Sequence, residues 1–289
     1  MTGLDAFIKE YGNQVTVFIN NRINESKAPD IIKEACLYSI NAGGKRIRPV
    51  LFLMTLNALN VEISKKHIAY ASSIEMIHTY SLIHDDLPPM DDDDYRRGQP
   101  TSHIKYGQAY AILAGDALLN LSFETMLDYA STVKDIAAAR DISKASGYEG
   151  MVGGQVLDMN KPECVKDILK MYSLKTGALI KTSVVSAAIM AGANKSILKR
   201  LNDYAENLGI AFQLRDDFLD KTDINEKTGK PKNSDKKNNK STYISKRGNL
   251  SNEIKLHKHT KNALAAIQPF DGSYDKLRSL AEYLDNRMK

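Results

Sequence analysis

Two groups of aspartates have the type and spacing to do chemistry. In the first, Asp85-Asp86 is followed, after Leu87-Pro88-Pro89-Met90, by Asp91 to Asp94, so six carboxylates fall within ten residues. Ionised together on a packed surface, they repel one another. The second group, Asp216, Asp217 and Asp220, lies far downstream in an apolar stretch with Leu214, Phe218 and Leu219. Asp216 and Asp220 are one turn apart on a single helical face, with Asp217 flanking them. Burying such anions without a counter-charge costs several kcal/mol. The first group alone could be a solvated acidic loop or a helix end broken by Pro88-Pro89. The second could pair with Arg215 or Lys221. Two carboxylate groups, with Arg96-Arg97 beside the first, fit a magnesium site for a phosphorylated ligand better, because hard cations take oxygen ligands. The guanidinium forks would suit phosphate oxygens.

These residues need helices to position them. In the segment ending at Leu87, His78, Leu82 and Asp85 fall on nearly one helical face, His78 roughly 10 Å from Asp85 along the axis. His78 could therefore look into the same cavity as the acidic group, or be an ordinary core or surface histidine. Beyond the prolines, Asp91 to Asp94 can fold back beside Asp85. Gly43-Gly44-Lys45-Arg46-Ile47-Arg48-Pro49 places three cations within four residues after a glycine pair. That is either an anion pocket at a helix start or a solvated basic turn.

The rest of the chain reads as helix throughout. Leu4, Phe7, Ile8, Tyr11, Val15, Phe18, Ile19 and Ile23 recur at three- and four-residue steps. A second helix begins at Pro29 and ends at Gly43-Gly44, Pro49 opens a third in its first turn, and Ser64 caps the one that Pro88 stops. Further helices are predicted near 106–129, 134–158, 163–192, 194–223, 250–267 and 272–288. Period-two alternation is missing, so no strand is predicted, and there is no linker or solenoid repeat. The expectation is an all-α single domain over 1–289. One stretch, 226–240, is lysine-rich and punctuated by Gly229 and Pro231, either a solubilising surface loop or a lid.

Composition excludes several classes. The net charge of +5 is concentrated around 226–240 rather than spread over a basic surface, which argues against nucleic acid as a partner. Cys36 and Cys164 have neither metal spacing nor a disulfide framework, which suits a reducing cytoplasm. The N-terminus lacks the pattern of a signal peptide. The most apolar segment, 177–193, contains Lys181 and is expected to fall short of a membrane span, so no membrane insertion is predicted.

Together these motifs resemble the trans-isoprenyl diphosphate synthases, most closely the bacterial farnesyl diphosphate type (geranyltranstransferases), over nearly the whole chain and in order. The resemblance rests on Gly43 to Pro49, on His78-Thr79-Tyr80-Ser81-Leu82-Ile83-His84 leading into the first aspartate motif, and on Arg96-Arg97-Gly98 closing it. It continues through Gly150-Met151-Val152-Gly153-Gly154-Gln155 with Asp158, Lys175-Thr176-Gly177, Phe212-Gln213 before the second motif, and Gly229-Lys230 through Lys240-Ser241-Thr242-Tyr243. It departs in three places: Asn233 stands where glycine is usual, Arg215 precedes the second motif, and the segment between Asp158 and Tyr172 is short.

The resemblance implies a bundle of roughly ten or more antiparallel helices around a central cavity, working as a homodimer. It implies that Lys45, Arg48, His78 and Arg97 bind the diphosphate of isopentenyl diphosphate. Asp85, Asp91 and Asp216, helped by Asp86, Asp217 and Asp220, would hold three magnesium ions on the allylic diphosphate, with His84 beside the metals. Arg96, Lys175, Lys230 and Lys240 would add positive charge around that group, and Thr176 and Gln213 would face the developing cation. Tyr80, with Ser81, would set product length: it lies five residues before Asp85, roughly 7.5 Å deeper along the helix. The implied reaction is head-to-tail condensation of dimethylallyl or geranyl diphosphate with isopentenyl diphosphate, giving a fifteen-carbon product. A geranyl or geranylgeranyl diphosphate synthase is the near alternative. A terpene cyclase would normally carry an Asn/Ser/Glu metal triad in place of the second motif, and a metal-dependent phosphohydrolase lacks a convincing histidine set.

Overall fold

The structure is a computed structural model and describes residues 3–221 and 240–286. The described residues pack as two compact units, one formed by 3–50 and 64–130, the other by 51–63, 131–221 and 240–286.

The first unit contains α1 (Gly3–Asn24), α2 (Asp30–Asn41), the first turn of α3 (Ile47–Ala58), α4 (Lys65–Asp85), α5 (Ser102–Tyr106) and α6 (Gln108–Tyr129). Helix α4 is its centre. From His67 to Met76 every residue is buried, and α1 and α6 pack against it. A helix buried on all sides lies inside a bundle, and its buried polar groups, such as Glu75 and Ser73, are hydrogen-bonded there. Its start is held by the Ser64 backbone N–H, which donates to His67 Nδ1 at 3.1 Å, a capping box with histidine in the usual Glu/Gln position.

The second unit contains the rest of α3, then α7 (Val133–Ser146), α8 (Met151–Met159), α9 (Val165–Tyr172), α10 (Ala178–Ala191), α11 (Lys195–Lys221), α12 (Tyr243–Ile267) and α13 (Asp275–Asp285). Its core around the second aspartate motif joins Ile168, Met171 and Tyr172 of α9 to Ala211 and Leu214 of α11 and to Tyr243 and Leu256 of α12. Residues 51–63 belong here because Leu51 to Leu53 are fully buried and Ser273 Oγ donates to Ala58 O at 2.9 Å.

The all-α expectation holds, with four local corrections. The segment predicted as one helix over 134–158 is two, separated at Gly147–Gly150, where the backbone reaches φ −120°, ψ −121° at Gly150. The 163–192 helix contains a π-helical turn, Ser173–Gly177. The helix predicted from 250 begins at Tyr243, interrupted by Gly248 at φ 79°. Finally, a short antiparallel hairpin pairs β1 (Tyr95–Arg96) with β2 (Gln99–Pro100). Its turn residues Arg97 and Gly98 have φ 53° and 77°, the pair of positive values that a type I′ two-residue hairpin needs.

The π turn makes the apolar run longer than the 177–193 segment considered from sequence. Val165–Ala191 is long and apolar enough to cross a membrane by length and composition, and 61% of its most apolar window is buried inside the protein.

Candidate active site

In the first unit, cations gather on the turn before α3 and on the hairpin. Arg46 and Arg97 both adopt left-handed backbone, φ 52° and 53°. That conformation is costly for a side chain with a Cβ and persists only where the surroundings impose it. Here Arg46 Nη1 donates to Gly43 O and to Glu75 Oε1, each at 2.9 Å, and Nη2 donates to Ile40 O. The Arg46–Glu75 pair is almost wholly buried, so Arg46 is a strut that closes the end of α2. Arg97 donates to the same Gly43 carbonyl.

Between these groups, Arg48 Nη1 lies 3.2 Å from His78 Nε2. Burial first, then Arg48, Arg97, Arg96 and Arg46, hold His78 well below the usual histidine range. The ring is therefore neutral at pH 7 and accepts from Arg48. Burial, together with Arg46, Arg96 and Arg48, lowers Arg97 to about 10 despite Glu75. A cation lowered by burial and by its cationic neighbours, as Arg97 is, would be favoured by an anion placed beside it. Lys45 is exposed on the same turn. Four of the expected residues, Lys45, Arg48, His78 and Arg97, thus share one turn, hairpin and helix face.

The first aspartate motif folds back on the end of α4, where the Asp91 N–H donates to Asp85 O at 2.8 Å and the Asp92 N–H to Leu87 O at 3.2 Å. Asp85 and Asp91 are half-buried. Asp86 is 3% exposed and takes a forked ion pair from Arg96, Nε at 2.8 Å to both oxygens and Nη2 at 2.6 Å to Oδ1. Burial opposes the charge on Arg96, but the hydrogen bonds and charge of Asp86 outweigh it and the net shift is upward. Arg96 and Asp86 thus serve each other, which neither cluster in the sequence disclosed. Tyr80 is 6% exposed, and its phenol is pushed up to about 12 by burial and then by Asp85. It meets His84 edge to face at 5.7 Å. Ser81 Oγ donates to His78 O.

In the second unit, Asp216 and Asp220 are half-buried, whereas Asp217 is turned inward. It accepts from Tyr172 Oη and, at 3.1 Å, from Gln213 Nε2. Gln213 Oε1 accepts from Thr176 Oγ1 at 2.7 Å. Lys175 Nζ is 2.6 Å from Asp158 Oδ2. Arg215, considered as a partner for the aspartates, lies over the Phe218 ring at 5.5 Å. The π turn carries Lys175 and Thr176, and Gly154 of α8 meets it closely: a Cβ there would sit 2.1 Å from Lys175 N. Lys240 is half-buried just before α12, and Lys230 lies outside the described residues.

Glu75 and Tyr172 were not singled out from the sequence, and Arg46 was read there only as one of the three cations on its turn. Glu75 precedes His78 by three residues, and that helical spacing was the available signal. For Tyr172 the sequence held none.

The donor set suits magnesium. All candidate ligands are carboxylates, yet no group of three or more His, Cys, Asp or Glu among the described residues forms a protein cage. Magnesium is commonly bound in that way, by one or two carboxylates with phosphate oxygens completing its shell.

Comparison with known proteins agrees with this geometry. The polyprenyl synthetase family model matches residues 29–269. The chain is 40% identical over 286 residues to the farnesyl diphosphate synthase of Bacillus subtilis (strain 168), covering 96% of this chain and 95% of that one. An FPP/GFPP synthase from Zymomonas mobilis superposes with a TM-score of 0.86 at 33% identity, covering 98% of each chain. A geranyltransferase from Helicobacter pylori, complexed with magnesium and isoprenyl diphosphate, gives 0.82 at 28% identity, covering 99% of this chain and 97% of that one. This prenyltransferase belongs to the polyprenyl synthetase family.

Proposed function

We propose that the protein condenses dimethylallyl and then geranyl diphosphate with isopentenyl diphosphate, head to tail, and releases farnesyl diphosphate. The observation that carries this reading is the placing of Arg48 and Arg97 beside the neutral His78, with Lys45 on the same turn as Arg48, a basic cluster distinct in composition from the aspartate motifs. A family member that only ionised one diphosphate would not need both. Residues 1–289 would act as a single domain.

Asp85, Asp91 and Asp216 would hold magnesium, three ions in all, with Asp220 beside Asp216. Asp86 and Asp217 would help from within through Arg96 and through Gln213. Bound magnesium supplies positive charge where the departing allylic diphosphate becomes most negative. Lys175, oriented by Asp158, and Lys230 and Lys240 add charge around the same group. The pocket at Lys45, Arg48, His78 and Arg97 fixes the second substrate by its diphosphate, so that its double bond meets the allylic carbon in a defined orientation. Gln213 and Thr176 present oxygen to the developing cation. The allylic C–O bond breaks first, the double bond of isopentenyl diphosphate then attacks the allylic cation to form the new C–C bond, and the proton lost goes to the released diphosphate, so no side chain need act as base. The buried Tyr80 ends the space available for the growing chain.

We place the enzyme in the cytoplasm as a homodimer. Exposed Tyr110, Leu113 and Leu127 on α6 support an interface between two copies, and the thiols of Cys36 and Cys164, which form no disulfide, suit a reducing compartment. The test is to supply dimethylallyl and isopentenyl diphosphates with magnesium and analyse the products. Linear farnesyl diphosphate supports the reading, whereas cyclic hydrocarbon, simple hydrolysis or no turnover overturns it.

A further inference from the structure

Tyr172 is the last residue of α9, 2% exposed, and its hydroxyl makes two contacts of opposite sense. It accepts from the Tyr243 backbone N–H at 2.8 Å and donates to Asp217 Oδ2. A backbone N–H can only donate and an ionised carboxylate can only accept. The phenolic proton therefore has one place to go, and its direction is not open to rearrangement.

The same logic runs on from Asp217. Its second oxygen faces Gln213, and an acceptor-only carboxylate admits the amide nitrogen rather than the amide oxygen. Gln213 Nε2 at 3.1 Å from Asp217 Oδ1 agrees with that requirement. The amide oxygen is then turned to Thr176 and takes the proton of its hydroxyl, at 2.7 Å. With that proton engaged, Thr176 Oγ1 has only lone pairs left to offer. Both arms, Tyr243 N–H through Tyr172 and Thr176 through Gln213, thus donate towards the Asp217 carboxylate, and the backbone N–H and the carboxylate, which cannot reverse, fix that arrangement. It delivers electron density on the π turn, where the proposed reaction develops positive charge.

We infer that Tyr172 is a positioning residue for allylic ionisation: its hydroxyl locks Asp217, and through it the Gln213 amide and Thr176 hydroxyl, in the orientation that opposes positive charge. This rests on the prenyl-transfer reading above. Without the hydroxyl the carboxylate loses one of its anchors, and the Gln213–Thr176 arm that depends on its orientation loosens with it. Partners that orient groups at a metal site also typically alter affinity or activity by about 10–100-fold when removed.

The test is Tyr172→Phe, which removes only the hydroxyl, compared with Tyr204→Phe. Tyr204 is equally buried, but its hydroxyl donates to Leu277 O at 2.8 Å, away from every residue proposed for catalysis. Tyr172→Phe loses two buried hydrogen bonds and Tyr204→Phe one, and a merely structural role predicts lower stability for both with kcat and magnesium dependence unchanged. For Tyr172→Phe we expect kcat to fall by about 10–100-fold and the magnesium concentration for half-maximal rate to rise, with the KM for isopentenyl diphosphate within about twofold of wild type. Tyr204→Phe should lower the melting temperature and leave kcat and the magnesium dependence unchanged. A Tyr172→Phe enzyme with wild-type kcat and magnesium dependence, or one no slower than Tyr204→Phe, would overturn the inference while leaving the functional reading intact. A wild-type protein without prenyl transfer would overturn both.

Discussion

The arginine turn of the first unit and the carboxylate helix of the second face opposite charge problems and divide them the same way. On the turn, Arg46 is buried and tied to Glu75 and to carbonyls, while Lys45 stays exposed and Arg48 leans on a neutral imidazole. On α11, Asp217 is buried and tied to Tyr172 and Gln213, while Asp216 and Asp220 remain half-exposed. In both, one charge of the motif goes inward to hold the scaffold, while neighbouring charges stay nearer the surface. The reason is energetic: a buried charge must be paired, whereas one at a surface can wait for a counter-ion. The two differ in backbone. Consecutive cations are splayed by left-handed turns, whereas the aspartates are separated by helical rotation alone.

This comparison can be broken at either end of each motif. The largest effect is expected from the outward carboxylates. Asp85→Ala or Asp216→Ala should fold yet lose about three orders of magnitude in turnover, the equivalent of several kcal/mol of transition-state charge stabilisation. Near-normal rates with either would remove the metal assignment. Next come the inward charges: Glu75→Ala strands Arg46 and should cost about 3–5 kcal/mol of stability in denaturant unfolding. A loss as small as that of an exposed charge would show that Arg46 is not the strut its contacts suggest.

Tyr80→Ala opens space beneath the first motif, and products longer than fifteen carbons should appear; an unchanged product distribution in an active variant removes Tyr80 as the floor. The smallest effect concerns pH. His78 is held below the ordinary value of 6.5, and His259 is lowered to about 4 by burial and by Lys255 and Lys258. Below pH 6.5 the unfolded chain takes up these protons before the folded one does, so stability falls as pH drops through that window. For His259 the loss is complete near pH 4. A His78→Gln variant should show a shallower acid limb in thermal unfolding, and an unaltered limb would mean that His78 is not buried in its neutral form.

Much of this was legible from sequence because helical periodicity and aspartate spacing are local properties. Pro88-Pro89 announced the end of α4, which stops at Asp85. The hairpin at Tyr95–Pro100 was missed because its turn is Arg97-Gly98 rather than an asparagine- or aspartate-glycine pair, and its two-residue strands are too short for alternation to register. The π turn at Ser173–Gly177 was missed because it leaves apolar periodicity almost intact; what imposes it locally is contact, with Gly154 and Gly209 brought close to its backbone.

The sequence by itself therefore determined the helical class, the family and the short list of charged residues proposed to act on diphosphate. Only the tertiary structure decided which member of each charged group turns inward: Asp86 to Arg96, Asp217 to Tyr172, Arg46 to Glu75. Neighbouring aspartates in a motif are chemically identical, and what separates them is the partner that packing brings from a distant part of the chain. For Asp217 that partner is a tyrosine 45 residues away.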